Sequence, residues 1–336
     1  MKNLIKQLKV AVTALLIIVA FIASSVSSIK DNVKNRVIID IGYQSVTAQT
    51  WGALIVKDQE LFEKELEKIK PYYNFDIRWH DEVSGAPINN NMMAHKFQFG
   101  FLGDLPILIN LQNSAKSVKY NALLIAIDGR GKNGANQSIL VSEKSGIKSI
   151  EDLKDKQISV PVGSSAYHML MRILEKHALT SDVQIQHQDI PTAYTMVHSG
   201  KLSVVAAWEP YPSLFLKQAE MVKLVDGNES GVDYIAGIVE DKDWAIAHPE
   251  YTKAFLKSIC KAHRLLNSNK VKASKIISRQ SRFKQNIVLS ALKDITWNSV
   301  ITSQDVDTFY QDYQFMRSTN SISKFPLDRY LKPNQL

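Results

Sequence analysis

In the stretch ISVPVGSSAYHML, residues 158 to 170, an apolar run breaks at Gly163, Ser164 and Ser165 before helical spacing begins. A strand that turns through Gly-Ser-Ser into a helix leaves backbone N–H groups and the positive end of a helix dipole facing outward. That suits an anion, and it equally suits a helix that only needs a cap. Three more junctions share this form. IDIGYQSVTAQTWG ends a strand at Gly42 and offers Tyr43, Gln44 and Ser45; FGFLGDLPIL ends one at Gly103 and Asp104; VVAAWEPYPSL ends at Trp208 and Glu209, with Pro210 opening a helix. Open α/β sheets place their ligands at such strand ends. Each residue also has a plain structural use: Asp104 as a cap, Tyr43 and Trp208 as core edges, Gln44 as a turn residue. After Ser165, Ala166, Met169, Leu170, Ile173 and Leu174 share one helical stripe, and Tyr167 and His168 fall off it.

Other chemistry is poorly spelled. GRGKNG matches the G-x-G-x-x-G of dinucleotide sites through Gly129, Gly131 and Gly134. The glycines lead into QSILVSE, a strand pattern, and not into the helix whose N-terminus would receive a pyrophosphate. No G-x-S-x-G elbow, H-E-x-x-H helix, Walker loop or paired-cysteine site occurs. His80, Asp81 and Glu82 are adjacent, and three neighbours at a strand end do not converge on one point, so a solvated turn is expected there. No metal and no cofactor are expected. A hydrolase using Ser164 or Ser165 with His168 is the alternative from another class, but no third orienting group or oxyanion partner is visible for it.

The elements that would hold these junctions alternate. From residue 35, short β-rich runs (RVIIDIGY, NFDIRWH, FQFGFLG, YNALLIAID, QSILVSE, QISVPV, DVQIQHQ, SVVAAW and VDYIAGIVE) alternate with amphipathic helical segments, which argues for an α/β chain with largely parallel sheets. From His248 the pattern is mainly helical to about Ser318, with Pro249 near a helix start. The connector DGRGKNGANQS, residues 128 to 138, reads as a crossing between lobes. One lobe is then expected from 36–127 with 227–336, and the other from 128–226.

With 336 residues, 45% hydrophobic and 22% charged, the chain has an ordinary globular balance and length for two α/β lobes. The first 28 residues read as an export signal: lysines in MKNLIKQLK, the apolar VAVTALLIIVAFIA, then SSVSS. An uncleaved anchor is the alternative, although the apolar segment falls short of the roughly 20 residues that span a bilayer. Removing Lys2, Lys6 and Lys9 takes the net charge from +8 to 8 − 3 = +5. The basic residues are scattered with no aromatic-interleaved stripe, so nucleic acid is not an expected partner. The single cysteine, Cys260, allows no internal disulfide. A soluble periplasmic protein is expected.

Taken in order, IGYQ, FGFLGDLPIL, VPVGSSAYHMLMRILEKHAL, AAWEPYPSL and HPEYTKAFLKSICKAHRLL resemble the periplasmic substrate-binding proteins of ABC importers for sulfonates, taurine and nitrate. The resemblance covers roughly residues 36 to 270. It implies a type II periplasmic binding protein: two α/β lobes with mixed, largely parallel sheets, a hinge, one small ligand in the cleft, and delivery to a membrane permease served by a cytoplasmic ATPase. It implies a monomer that binds and does not catalyse. Gln44, Gly103, Asp104, Ser164, Ser165 and Trp208 match places where the family meets its ligand. Glu209 matches a position where some members face a ligand amine, and Tyr167 and His168 fall where specificity is tuned. A small organic anion, a sulfonate or an aminosulfonate zwitterion such as taurine, is the leading ligand. Nitrate is one alternative. A thiamine pyrimidine precursor is another, using Tyr43, Trp208 and Glu209.

Overall fold

Alternation of burial along the strands shows how this sequence builds its layers in the computed structural model, which describes residues 36–331 together with Ile18 and Val19. The expected export signal, 1–28, lies outside the described residues except for those two. Strand β1 (Arg36–Tyr43) sends Ile39, Ile41 and Tyr43 to one core, as the period of two requires. It is followed by a 3-10 turn (Ala48–Thr50), helices α1 (Gly52–Asp58) and α2 (Leu61–Ile69), β2 (Asn74–Asp81), α3 (Gly85–Met93), β3 (Phe99–Gly103), α4 (Asp104–Lys116) and β4 (Ala122–Gly131).

The chain then leaves for a second sheet, built from β5 (Gln137–Ser142), β6 (Gln157–Val160), β7 (Gln184–His187), β8 (Val204–Trp208) and β9 (Met221–Asp226). Helices α5 (Ser165–Lys176), α6 (Ile190–His198) and α7 (Tyr211–Gln218) flank it. It returns through β10 (Tyr234–Asp241) to α8 (Lys242–Ala247), α9 (Pro249–Ser268), α10 (Lys270–Ser281), α11 (Gln285–Ala291), the short β11 (Thr296–Trp297) and α12 (Ser303–Ser318).

The first sheet runs β11-β4-β10-β3-β1-β2 and the second β7-β6-β8-β5-β9. Both are mixed. In the first, β1 pairs in parallel with β2 and β3, and β10 lies antiparallel between β3 and β4. In the second, β6 is parallel to β7 and β8, while β5 runs antiparallel to β8 and β9. Helices cover both faces of each sheet, so the central strands are apolar on both sides. In β5, Ile139 and Val141 face the core under α5, and Leu140 faces the core under α6 and α7. The first sheet packs α1, α2 and α9 on one face and α3, α4 and α12 on the other.

The connector expected over 128–138 is shorter than its composition suggests. β4 continues through Gly129 to Gly131, and only the 3-10 turn Lys132–Gly134 and two further residues separate it from β5. Gly129 and Gly131 are strand positions with no room for a side chain: a Cβ on Gly129 would lie 2.7 Å from the Gln49 carbonyl oxygen, and one on Gly131 1.6 Å from Asn136 Oδ1. Gly134 has φ +86° and sits against Gly227 at the other crossing between the sheets. Strands β9 and β11 have no counterpart in the sequence reading. β2 reaches Asp81, so His80 is a strand residue and not part of a turn. Its Nε2 lies 2.7 Å from Asp40 and its ring stacks on Phe97.

Candidate functional site

The four junctions expected to matter do come together, at the seam where the carboxyl ends of strands from both sheets meet. At the β3–α4 junction, Gly103 is the N-cap in extended backbone and Asp104 is the first helical residue. At the β6–α5 junction, Ser164 is the N-cap and its Oγ accepts from the Tyr167 N–H at 3.3 Å. Gly163, φ +83° with open space around it, makes the turn that precedes the cap. Ser165 reaches across the seam, its hydroxyl donating to Asp104 Oδ1, which also accepts from the Leu105 N–H at 2.7 Å. Two helix starts therefore face one carboxyl group. Burial, reinforced by the nearby Asp312, pushes Asp104 well above the usual carboxylate range despite those donors.

The β8–α7 junction is built differently. The Glu209 carboxylate turns back on its own helix start, accepting from Ser213 Oγ at 2.9 Å and from Ser213 N–H at 3.3 Å. Burial raises its pKa to about 7. Its backbone ties the seam together: Ala48 N–H donates to the Glu209 carbonyl at 3.0 Å, and Glu209 N–H donates to the Asn136 carbonyl at 2.8 Å.

Next to these bonds lies a group of buried polar atoms without a protein partner. They are Nε2 and Oε1 of Gln49, Nδ2 and Oδ1 of Asn136, Oε1 of Gln137, and Nε1 of Trp208. Gln49 is 0% and Asn136 1% exposed, so bulk water does not satisfy them. The four are neighbours by construction. Gln137 is the cross-strand partner of Trp208, Asn136 adjoins Gln137 and packs on Gly131, and the Gln49 backbone packs on Gly129. Buried polar groups are nearly always paired, and leaving one unpaired costs about 1–3 kcal/mol, so such a concentration makes this a candidate place for ordered water or a polar guest. The set offers amide and indole N–H donors and amide acceptors with no fixed charge. Sequence reading reached Trp208 but missed Gln49, Asn136 and Gln137. The available signal was one carboxamide in TAQT and two in GANQS, the latter in the segment that links the two sheets.

The remaining expected residues have other duties. Tyr43 points into the first core with Ile39 and Ile41, accepts from Lys57 Nζ at 2.9 Å, and packs edge-on against Trp79. Gln44 Nε2 donates to the Phe101 carbonyl at 3.1 Å, locking the end of β1 to β3. Tyr167 and His168 face α12: His168 Nδ1 is 2.7 Å from Asp312 Oδ1, and its ring stacks on Phe315. The Ser165 hydroxyl is committed to Asp104 and His168 to Asp312, so the serine–histidine pair that a hydrolase needs is not formed. Among the described residues, no cluster of three or more His, Cys, Asp or Glu side chains is placed to hold a metal.

Two mixed sheets, joined by two crossings and meeting at a polar seam of strand ends, define the two-lobed type II periplasmic binding protein fold. The comparisons agree. Residues 132–272 match the family model described as NMT1/THI5 like. An Escherichia coli (strain K12) protein named for aliphatic sulfonate binding is 24% identical over 296 residues, which cover 87% of this chain and 83% of the relative. The taurine-binding periplasmic protein of the same strain is 27% identical over 192 residues, 56% of this chain and 57% of that one. The crystal structure of the periplasmic aliphatic sulphonate binding protein SsuA from Escherichia coli superposes with a TM-score of 0.74 at 21% identity, covering 89% of this chain and 93% of the other. The resemblance read from the sequence is therefore borne out, and these relatives are named as binding proteins.

Proposed function

We propose that the seam captures one small organic anion of the sulfonate class, and that the protein is the exported binding component of an ABC importer, handing its ligand to a membrane permease with a cytoplasmic ATPase. The observation that carries the ligand reading is the set of buried, unpartnered N–H groups on Gln49, Asn136 and Trp208 around the β8–α7 junction and the crossing from β4 to β5. Fixed neutral dipoles of this kind replace the hydration shell of an oxyanion without a counter-ion. The relatives' names supply the sulfonate class and the importer.

The geometry supports a plain sulfonate over an aminosulfonate, because both oxygens of Glu209 are occupied by Ser213 and burial raises its pKa to about 7, which weakens it as a fixed partner for an ammonium. It gives less support to a pyrimidine guest, since Tyr43 is committed to the core and to Lys57.

Thermal unfolding with ethanesulfonate, taurine, nitrate and an aminopyrimidine tests the reading, since a ligand that binds only the folded state raises Tm by mass action. Ethanesulfonate is expected to raise Tm most, and Asn136→Ala to abolish the shift while leaving the unliganded Tm the same or higher. A shift with the pyrimidine alone, or one that survives Asn136→Ala, overturns it.

A further inference from the structure

Helix α5 has two faces of different kind. Met169, Leu170, Ile173 and Leu174 lie in the core of the second sheet. Ser165, Tyr167 and His168 turn to elements of the first. One turn beyond the Ser165 contact with Asp104, His168 meets Asp312 on α12. Its imidazole stacks on Phe315 at 4.1 Å between ring centroids and 14° between planes, and the Tyr167 ring lies 5.8 Å from the same Phe315. Helix α12 is itself fixed to the first sheet: Phe309 and Met316 sit in the core it shares with α4, and Arg130 of β4 pairs with Asp305 in its first turn.

The His168–Asp312 pair is nearly fully buried, with side chains 4% and 1% exposed. It makes no hydrogen bond with Gln49, Asn136, Gln137 or Trp208. A buried polar pair is a weak source of stability compared with apolar packing, and its best-attested use is to fix one register or one state of a switch. Here it spans the two sheet units, which are linked covalently by the two crossings and also touch where Lys217 of α7 donates to the Asn286 carbonyl and Ser290 and where Tyr211 meets Phe283. Parted, its members return to water and lose little; together, they demand one relative placement of α5 and α12.

We propose that His168, Asp312 and Phe315 form the closure clamp of the seam, positioning residues that set how long the closed arrangement lasts without touching the ligand. The proposal rests on the reading of the seam as a ligand cleft, and its test has one arm that needs no ligand. In that arm, amide hydrogen exchange at residues 167–171 and 312–316 and small-angle scattering are measured on the unliganded wild type and on His168→Ala, Phe315→Leu and Asp312→Asn. His168→Ala and Phe315→Leu are expected to exchange about tenfold faster at both segments and to scatter as a more extended particle, while Asp312→Asn, which keeps an acceptor for the imidazole, stays near wild type.

In the second arm, ethanesulfonate release is followed by stopped flow. Release is expected to be about tenfold faster in His168→Ala with association little changed, the usual pattern when a contact holds a complex shut. Failure of the wild type to bind ethanesulfonate would count against the functional reading only, and the exchange and scattering arm would still decide the clamp. Wild-type exchange and scattering in both His168→Ala and Phe315→Leu would overturn the clamp. If His168→Ala does not fold, Phe315→Leu decides by the same two measurements.

Discussion

Replacing Glu209 with glutamine should change the pH dependence of stability more than it changes binding. The carboxyl is buried, and its pKa rises from 4.5 in the unfolded chain to about 7 in the folded protein. A group whose folded pKa is raised contributes its stability below the unfolded value and loses it as pH climbs to the folded one. Glu209 therefore costs almost nothing well below pH 4.5, and the cost grows through that value and levels off just above pH 7. The difference of roughly 2.5 units at 1.36 kcal/mol per unit gives a full cost of about 3 kcal/mol, about three-quarters of it incurred between pH 5 and pH 8. Glutamine does not ionise, and its Oε1 still accepts from Ser213 Oγ. The long bond from Ser213 N–H is lost, an expense of about 1 kcal/mol that does not vary with pH. Urea unfolding of both proteins across that range should show the variant gaining on the wild type by 2 to 3 kcal/mol as pH rises. Taurine and ethanesulfonate affinities should shift by the same factor in the variant. Parallel stability profiles would refute the burial argument, and a selective loss of taurine binding would show that the carboxylate faces an ammonium after all.

The two serines opening α5 should separate cleanly. Ser164→Ala removes the cap bonded to Tyr167 N–H and should lower stability by about 1 kcal/mol in urea with affinity nearly unchanged. Ser165→Ala leaves the cap intact and removes a donor to Asp104 across the seam, so calorimetry should show the weaker binding there. Gly131→Ala forces the Asn136 side chain, whose Oδ1 a new Cβ would meet at 1.6 Å, out of place; titration calorimetry should show at least tenfold weaker ethanesulfonate binding, and an unaltered affinity would remove Asn136 from the site.

Much of the fold was legible because it is written in periods. Ile39, Ile41 and Tyr43 alternate, and Ala166, Met169, Leu170, Ile173 and Leu174 make a stripe, so their elements and faces follow from spacing alone. The same spacing gave a warning about Tyr43, which shares parity with two core isoleucines and so points inward with them. β9 went unread because its burial is uneven: Met221 is buried, while Val222 is exposed among charged neighbours. Junction positions were legible as breaks in pattern. What each side chain does at a junction was not, because Ser165, His168 and Glu209 are decided by partners at 104, 312 and 213, and only the first and last of these adjoin a recognisable break. Asn136 and Gln49 carried no periodic signal, since their meaning lies in what they fail to touch.

The chain passes between the sheets twice, and the passages run back to back: a Cβ on Gly227 would fall 2.0 Å from the Gly134 carbonyl oxygen. A body hung on two adjacent cords can swing about the line through them but cannot spin. In the closure proposed above, each opening would retrace one arc, and Ser165 would return to Asp104 and His168 to Asp312 without a search. The girth of whatever lies between the jaws then fixes the angle at which the swing stops. Since α5 meets α12 one turn beyond Ser165 and Asp104, the clamp proposed above would reject a molecule slightly too large by contacts that never form, as well as by contacts inside the seam that do not fit.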